Sequence, residues 1–308
     1  MPIKVNSDLP AVSVLEKENI FVMSDTRAST QDIRPLKIAV VNLMPVKKTT
    51  EIQLLRLLGN TPLQIEISLV CMENHTSKNT DEQYLEKFYI TSNELFNQKF
   101  DGMIVTGAPI EHLSFESVDY WHELCDIMDY AKSNVFSTMY LCWASFAGLY
   151  HHYKIKKYPL ERKMSGIFMN YRTTDGDPLL RGFDDTFPIP QSRHTTLKKE
   201  EVLACRKLSI LAESAEAGVT IIKSRDNREI FMTGHLEYDT NTLSDEYFRD
   251  TEKGMSVPLP KNYFPTNNVC RAPLNYWRST AHLFYSNWLN YYVYQQTPFE
   301  LSSIDKAR

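Results

Sequence analysis

The chain has 308 residues, of which 43% are hydrophobic and 23% are charged, and its net charge is −4. This composition excludes a disordered chain, and the small negative charge gives no general attraction to nucleic acid or anionic lipid. No apolar run approaches the roughly 18 residues of a membrane span, and the first residues lack the apolar core of a signal peptide. We therefore expect a cytoplasmic protein with no nucleic-acid partner and no membrane partner.

In chain order, the apolar patterns alternate between strands and helices. They predict a strand over 36–44, a helix beginning at Thr49 or Thr50 and stopping at Gly59, strands over 64–71 and 101–109, a helix over 119–132, a strand over 136–141, a strand ending at Gly234, and an aromatic-rich helix within 277–294. This succession favours an α/β fold with a mostly parallel sheet flanked by helices. We expect a single domain over 1–308, with an N-terminal extension over about 1–34 and a helical C-terminal region over about 277–308.

The five cysteines, at positions 71, 125, 142, 205 and 270, form no CxxC pair and no even framework. The sequence therefore predicts neither disulfides nor a metal site. Cys71 and Cys125 lie in apolar or amphipathic segments, where a small buried hydrophobic residue is the better interpretation. Cys142 has a different setting, because it ends an apolar strand and precedes small, helix-compatible residues.

At a strand–turn–helix junction of this kind, the thiol projects from the end of the strand. The amides of the first helical turn and the helix dipole then both favour the thiolate of Cys142. A lone cysteine after a strand is more often a core residue than a catalyst. A second catalytic group is therefore needed before Cys142 can be interpreted as a nucleophile.

The partner is predicted at a second strand end, where His235 and Glu237 follow Gly234. Residues i and i+2 of an extended segment face the same way, so the carboxylate can orient the imidazole. The imidazole can in turn activate a cysteine sulfur. Because sites in parallel sheets form at the carboxyl ends of strands, the joint occurrence of both patterns favours a cysteine nucleophile with its base.

Several further motifs run through the chain: Asn-Leu-Met-Pro at 42–45 with Lys47, Thr-Gly-Ala-Pro at 106–109, Leu-Cys-Trp at 141–143, Ser-Arg-His at 192–194, Gly-His at 234–235 with Glu-Tyr at 237–238, Asn-Tyr-Phe at 262–264 and the run 286–295. With these motifs the chain resembles the homoserine O-acyltransferases of methionine biosynthesis. The resemblance extends over about 8–298. It implies a class I glutamine amidotransferase-like, flavodoxin-like three-layer sandwich and a ping-pong acyl transfer through a thioester.

The resemblance also implies catalytic roles. Cys142 would take the acyl group from acyl-CoA, His235 would act as general base, and Glu237 would orient and support it. The amide of Trp143 would donate to the oxyanion, with Gly107 or Lys47 as helpers. Beyond acyl-CoA as a co-substrate, the resemblance implies no cofactor.

Substrate contacts are implied in the same way. Lys163 and Ser192 match substrate-binding positions, Arg249 would face the carboxylate of the amino acid, and Glu246 would meet its ammonium group. Glu111 stands where the family distinguishes acyl donors, since a glycine there leaves room for succinyl, whereas a glutamate fills the pocket and repels the succinyl carboxylate. This position implies acetyl-CoA.

Other functions remain open from the sequence. Leu236, the stretch 144–146 and the stretch 279–285 depart from the usual family pattern, so L-serine is an alternative to L-homoserine as acceptor. A homoserine O-succinyltransferase, a glutamine amidotransferase-like cysteine hydrolase and a non-catalytic binding protein are the further alternatives. The family expectation for assembly is a homodimer.

Overall fold

The computed structural model describes residues 3–4, 6, 8–18, 22–23, 34–73 and 80–307. The strands are β1 (Ile3–Lys4), β2 (Val22–Met23), β3 (Leu36–Val41), β4 (Ile65–Val70), β5 (Tyr89–Ile90), β6 (Phe100–Val105), β7 (Val135–Leu141), β8 (Tyr158–Arg172), β9 (Thr186–Thr196), β10 (Leu208–Ser214), β11 (Gly218–Ser224) and β12 (Glu229–Met232). The α-helices are α1 (Pro10–Lys17), α2 (Lys47–Leu58), α3 (Glu82–Phe88), α4 (Ser92–Phe96), α5 (Trp121–Asn134), α6 (Trp143–Tyr153), α7 (Lys199–Ala204), α8 (Thr242–Glu252) and α9 (Arg278–Asn287).

These strands form one sheet with two halves. Its order is β2, β1, β4, β3, β6, β7, β12, β11, β10, β8, β9, and β5 pairs with β4. Neighbours from β2 to β12 run parallel, whereas those from β12 to β9 run antiparallel. The mostly parallel sheet is therefore confirmed, and β12 is the junction between the halves. The antiparallel half was not predicted, because charged residues interrupt the apolar pattern of β8.

Helices cover both faces of the sheet, which gives three layers. Strands β6 and β7 are buried along their whole length, as expected for central strands with helices on both sides. On one face the core includes Leu58 of α2 and Phe284 of α9, together with Trp288. On the other face it includes Leu124 of α5 and Phe146 of α6. The predicted α/β sandwich is confirmed.

Helix α2 begins at Lys47, so the predicted start at Thr49 or Thr50 is wrong. Val46 is the N-cap residue and makes no side-chain cap. Asn42 closes this turn instead, because its amide group donates to the Lys47 carbonyl at 3.3 Å and its carbonyl accepts from the Lys47 amine at 2.6 Å. A buried network thus replaces the threonine cap that local sequence rules favour.

The C-terminal region is helical, as predicted. A π-helix, Trp288–Tyr294, follows α9 directly, and short 3₁₀ helices lie at Phe115–Ser117, Pro178–Leu180, Pro265–Asn267 and Leu301–Ala307. The N-terminal helix α1 packs against α2, while most of the predicted extension over 1–34 lies outside the described residues. No helix within the described ranges combines the length and apolarity needed to cross a membrane. The single domain over 1–308 stays a prediction.

Candidate active site

Cys142 occupies a strained turn between β7 and α6. Its backbone angles are φ 47° and ψ −117°, a region that residues other than glycine rarely adopt. The turn is held because the Cys142 amide donates to the Met232 carbonyl at 2.7 Å and the Cys142 carbonyl accepts from the Ser145 amide at 2.9 Å. The residue is only 3% exposed. The strand–turn–helix junction predicted for Cys142 is therefore present.

Gly107 lies against this turn. A β-carbon added at Gly107 would be 3.2 Å from the β-carbon of Cys142, closer than most such contacts, and 3.6 Å from the amide nitrogen of Trp143, which is ordinary contact. The Trp143 amide belongs to the first turn of α6, where N–H groups lack intrahelical acceptors. These residues leave an amide donor beside the sulfur, which suits a developing oxyanion.

His235 and Glu237 reach the same sheet edge from β12. Strand β12 is parallel to β7 with Met232 paired to Leu141, so the residues that follow each strand meet. The imidazole Nδ1 lies 2.6 Å from the Glu237 carboxylate, and both side chains are almost fully buried. The predicted contact between the imidazole and the carboxylate is present, but the predicted extended segment is wrong, because Leu236 and Glu237 form a turn in which the Tyr238 amide donates to the His235 carbonyl at 3.4 Å.

Gly234 permits a close approach of β9 to His235. A β-carbon at Gly234 would collide with Ile189 and would lie 2.7 Å from the Pro190 carbonyl oxygen. The same carbonyl accepts a 2.9 Å hydrogen bond from the His235 amide. The absence of a side chain at position 234 therefore permits the hydrogen bond that holds the backbone of His235 against β9.

The electrostatics of His235 are set by opposing effects. Burial lowers the pKa of His235, but the negative charge of Cys142 and the carboxylate of Glu237 more than offset it and raise the pKa well above the ordinary value of 6.5. The imidazole is therefore held in its charged form when the Cys142 sulfur is a thiolate. This pairing is typical of activated cysteines.

A charged cluster lies next to the sulfur on the antiparallel half of the sheet. The Lys163 amine is 3.0 Å from the Asp250 carboxylate and 3.4 Å from the Glu246 carboxylate. Glu246 also accepts a hydrogen bond from the Ser192 hydroxyl, while the Ser192 carbonyl oxygen is 4.0 Å from the Cys142 sulfur. The structure thus brings three of the four predicted acceptor-binding residues together.

Arg249 is the fourth predicted acceptor-binding residue. Its side chain is half-exposed and contacts Asp250. Its guanidinium donates two hydrogen bonds, of 2.9 and 2.7 Å, to the Asp250 carboxylate. Asp250 was missed by the sequence analysis. Its position four residues after Glu246 on one helix was the available signal, because residues i and i+4 share a helix face and both carboxylates meet Lys163.

Two further buried residues near the site were also missed. The Tyr238 ring stacks on the His235 imidazole, with ring centroids 4.0 Å apart and an interplanar angle of 18°. Arg193 is buried and donates to the Gln191 side chain and to the carbonyls of Thr195 and Ala217. Burial lowers its pKa to about 10, although the charges of Cys142 and Glu111 act in the opposite direction. Both residues stand inside the family motifs, beside the predicted Ser192 and Glu237.

Glu111 lies at the edge of the same site. It is half-buried, and burial raises its pKa, whereas a backbone hydrogen bond and the charges of His194, His235 and Lys163 lower it. Its backbone is fixed by Lys157, whose amine donates a 2.6 Å hydrogen bond to the Glu111 carbonyl. The charges of His235 and Lys163 therefore act on the Glu111 carboxylate, whereas its role in the choice of acyl group stays a prediction.

Lys47 is buried, and its amine is committed to the Asn42 carbonyl at 2.6 Å. Burial lowers the pKa of Lys47, and the charges of Cys71 and Glu51 raise it. In this structure the amine fixes the loop after β3. A role for Lys47 toward the oxyanion stays a prediction.

A group of potential metal ligands lies away from this site. Asp129, His151 and His152 bring one ligand atom each within 4.8 Å of one another. Burial and the neighbouring charges of Lys132, His151 and Lys154 lower the pKa of His152 to about 3. The two lysines disfavour a bound cation at this group.

The fold and this cysteine–histidine–glutamate arrangement define a chain with a glutamine amidotransferase-like architecture. A solved structure of a glutamine amidotransferase from Thermotoga maritima matches 83% of this chain and 98% of its own, with a TM-score of 0.57 and 11% identity. One from Methylobacillus flagellatus matches 84% of this chain and 95% of its own, with a TM-score of 0.54 and 10% identity. Likenesses at such low identity establish the fold alone.

The family is established by closer sequence matches. Residues 2–299 match the family model described as homoserine O-succinyltransferase. A protein from Brevibacillus brevis, named homoserine O-acetyltransferase, is 55% identical over 98% of this chain and 99% of its own length. One of the same name from Desulfovibrio desulfuricans is 56% identical over 100% and 98%. The chain belongs to this family of homoserine O-acyltransferases.

Proposed function

We propose that this protein transfers an acetyl group from acetyl-CoA to the hydroxyl of L-homoserine, through a thioester on Cys142. The observation that carries this proposal is the buried Cys142 turn beside the His235–Glu237 pair, with an amino-acid-sized charged cluster next to it. Relatives that are named homoserine O-acetyltransferase support the choice of substrates. Glu111 supports acetyl over succinyl, because a second carboxylate beside it would be repelled.

In the first half-reaction, the Cys142 thiolate attacks the carbonyl carbon of acetyl-CoA. The amide of Trp143 stabilises the oxyanion. The bond between that carbon and the CoA sulfur then breaks, and the leaving thiolate takes a proton from the His235 imidazolium. Acetyl-Cys142, neutral His235 and free CoA result.

In the second half-reaction, neutral His235 takes the proton of the homoserine hydroxyl as its oxygen attacks the thioester. The Cys142 sulfur leaves as a thiolate, so the thiolate–imidazolium pair is restored and no proton is gained or lost overall. Lys163 and Arg249 supply cations for the acceptor carboxylate, and Glu246 supplies an anion for its ammonium. In this structure Lys163 pairs with Glu246 and Asp250, and Arg249 pairs with Asp250, so the acceptor exchanges existing ion pairs for its own.

This scheme has a built-in change in the basicity of His235. The thiolate charge is one of the effects that raise the pKa of His235, and acetylation removes it. Burial, which acts in the opposite direction, remains. The pKa of His235 therefore falls when the thioester forms, so the imidazole becomes a free base when the acceptor needs one.

We predict that the two half-reactions depend on pH in opposite ways. CoA release in the absence of acceptor requires the imidazolium, so it declines on the alkaline side, above the raised pKa of His235. Transfer from acetyl-Cys142 to L-homoserine requires neutral imidazole, so it declines on the acid side, below the lowered pKa. Rapid-mixing measurements of each step across pH test this, and the alkaline limb of the first should lie at higher pH than the acid limb of the second.

The Glu237→Gln variant provides the control for this pH prediction. Glu237 raises the pKa of His235 in both states, so its loss should move both limbs to lower pH by about 1 unit. If a limb of the pH profile does not move in this variant, that limb does not report the titration of His235.

The experiment that tests the proposed function offers acetyl-CoA and succinyl-CoA against L-homoserine and L-serine, and follows CoA release. We expect the highest kcat/KM for acetyl-CoA with L-homoserine. A preference for succinyl-CoA would replace acetyl-CoA as the proposed donor. A preference for L-serine would replace L-homoserine as the proposed acceptor. Glutamine hydrolysis without consumption of acetyl-CoA would make the chain a cysteine hydrolase.

We further propose that the enzyme serves methionine biosynthesis as a cytoplasmic homodimer, without a metal or other cofactor. The names of the relatives support the pathway, since O-acylated homoserine is its activated intermediate in this family. The location and the dimer are family expectations. Light scattering of the purified chain tests the dimer directly.

A further inference from the structure

Tyr238 covers one face of the catalytic imidazole. Its ring lies 4.0 Å from the His235 ring, nearly parallel to it, and both residues are buried. The position of the ring is fixed through its backbone, because the Tyr238 carbonyl accepts a 3.0 Å hydrogen bond from the Trp277 indole. His235 therefore packs against a surface that is itself held in place.

The other end of Tyr238 touches the charged cluster. Its hydroxyl donates a 2.8 Å hydrogen bond to one carboxylate oxygen of Glu246. The second oxygen of Glu246 accepts from Ser192 and faces the Lys163 amine at 3.4 Å. Burial, followed by the charge of Glu246, raises the pKa of Tyr238 well above its ordinary value, so the hydroxyl keeps its proton and stays a donor.

We propose that Tyr238 is a positioning residue that couples the two sides of the site. Its ring face holds the plane of His235 for thioester formation, and its hydroxyl holds Glu246 where the acceptor ammonium binds. The inference rests on the proposed function, because it assigns the imidazole to thioester chemistry and Glu246 to the acceptor. Tyr238 contacts both groups but takes no part in making or breaking bonds.

Elementary interactions support the two roles. An aromatic face attracts a cation through its quadrupole, so the stacked ring favours the imidazolium that protonates the leaving CoA thiolate. A neutral hydroxyl that donates to a carboxylate stabilises its position and orientation, since hydrogen bonds to charged groups are among the stronger ones. The two contacts use different parts of one side chain, so they can be removed separately.

The test compares Tyr238→Phe with Tyr238→Leu. In Tyr238→Phe the ring face stays and the hydroxyl is lost, so we expect the KM for L-homoserine to rise about tenfold and the rate of CoA release without acceptor to change much less than in Tyr238→Leu. In Tyr238→Leu the ring is lost as well, so CoA release should also slow by about tenfold or more, and the pKa of His235, followed by NMR, should fall. Circular dichroism checks that the leucine variant folds, and the phenylalanine variant keeps the ring volume.

Tyr263→Phe is the matched control. Tyr263 is another buried tyrosine, and its hydroxyl accepts from the Ser244 amide in α8 and donates to the Thr240 carbonyl. Its removal loosens the helix that carries Glu246 without touching His235 or the Glu246 carboxylate. A rise in KM equal to that of Tyr238→Phe would show general anchoring of α8 and would overturn the proposed role of the Tyr238 hydroxyl.

The outcomes also separate this inference from the proposed function. A wild-type protein that releases no CoA from acetyl-CoA refutes the proposed function, and the coupling with it. If the wild-type protein releases CoA in a burst and Tyr238→Leu does so at the same rate, only the proposed role of the Tyr238 ring is refuted.

Discussion

The Cys142→Ala variant is expected to lose acetyl transfer by about 10⁴-fold or more, because the acetyl group then has no sulfur to occupy. Incubation of the wild-type protein with acetyl-CoA alone should release CoA in a burst and leave one acetyl group on Cys142, detectable by peptide mass spectrometry. The variant should show neither the burst nor the modification. Alanine also relieves no backbone strain at φ 47°, since it too carries a β-carbon.

The matched control is Cys205→Ala. Cys205 is half-buried and ends α7, and it has no role in the proposed chemistry. Its replacement should leave both the burst and the turnover as in the wild type. Full acetyl transfer by Cys142→Ala would refute the thioester and would require direct attack of the acceptor hydroxyl on acetyl-CoA.

The Glu111→Gly variant is expected to reverse the donor preference, with a change of about 10²-fold or more in the ratio of kcat/KM for succinyl-CoA over acetyl-CoA. Glycine removes both the volume and the charge of the side chain. The positive charge of Lys163, which now acts on the Glu111 carboxylate, then becomes available to the succinyl carboxylate.

A second variant, Glu111→Gln, separates charge from volume. Glutamine has the size of glutamate without its charge, so it should relieve the repulsion and keep the steric block. We expect only a small part of the change seen with glycine. If Glu111→Gly leaves the donor preference of the wild type intact, donor selection does not depend on this position.

The sequence allowed much of the reaction centre to be predicted, because its elements are local. The junction at Cys142 follows from an apolar strand with small residues after it, and the orientation of His235 by Glu237 follows from a spacing of two. The parallel order of β7 and β12 then brings the two segments together. The rule that sites form at strand ends carried this part, whereas the extended segment assumed for residues 235–237 is a turn.

The contacts that were missed depend on tertiary packing. Asp250 of α8 meets Lys163 of β8 although the two are 87 residues apart in the chain, and Tyr238 stacks on His235 because the chain turns sharply after β12. The position of Arg249 has the same origin, since its guanidinium donates to Asp250 at the edge of the cluster. No local spacing encodes distances between elements that are far apart in the chain.

The junction at β12 separates the residues proposed to select the acyl donor from those proposed to bind the acceptor. The loops after β6 and β7, in the parallel half, carry Glu111 and Cys142, whereas β8, β9 and α8 carry the groups that we propose meet the acceptor. Substitutions that change the choice of acyl donor therefore fall in a different part of the framework from those that change the choice of amino acid. Such a division lets one preference drift during evolution while the other is maintained, and it lets an engineer vary the two independently.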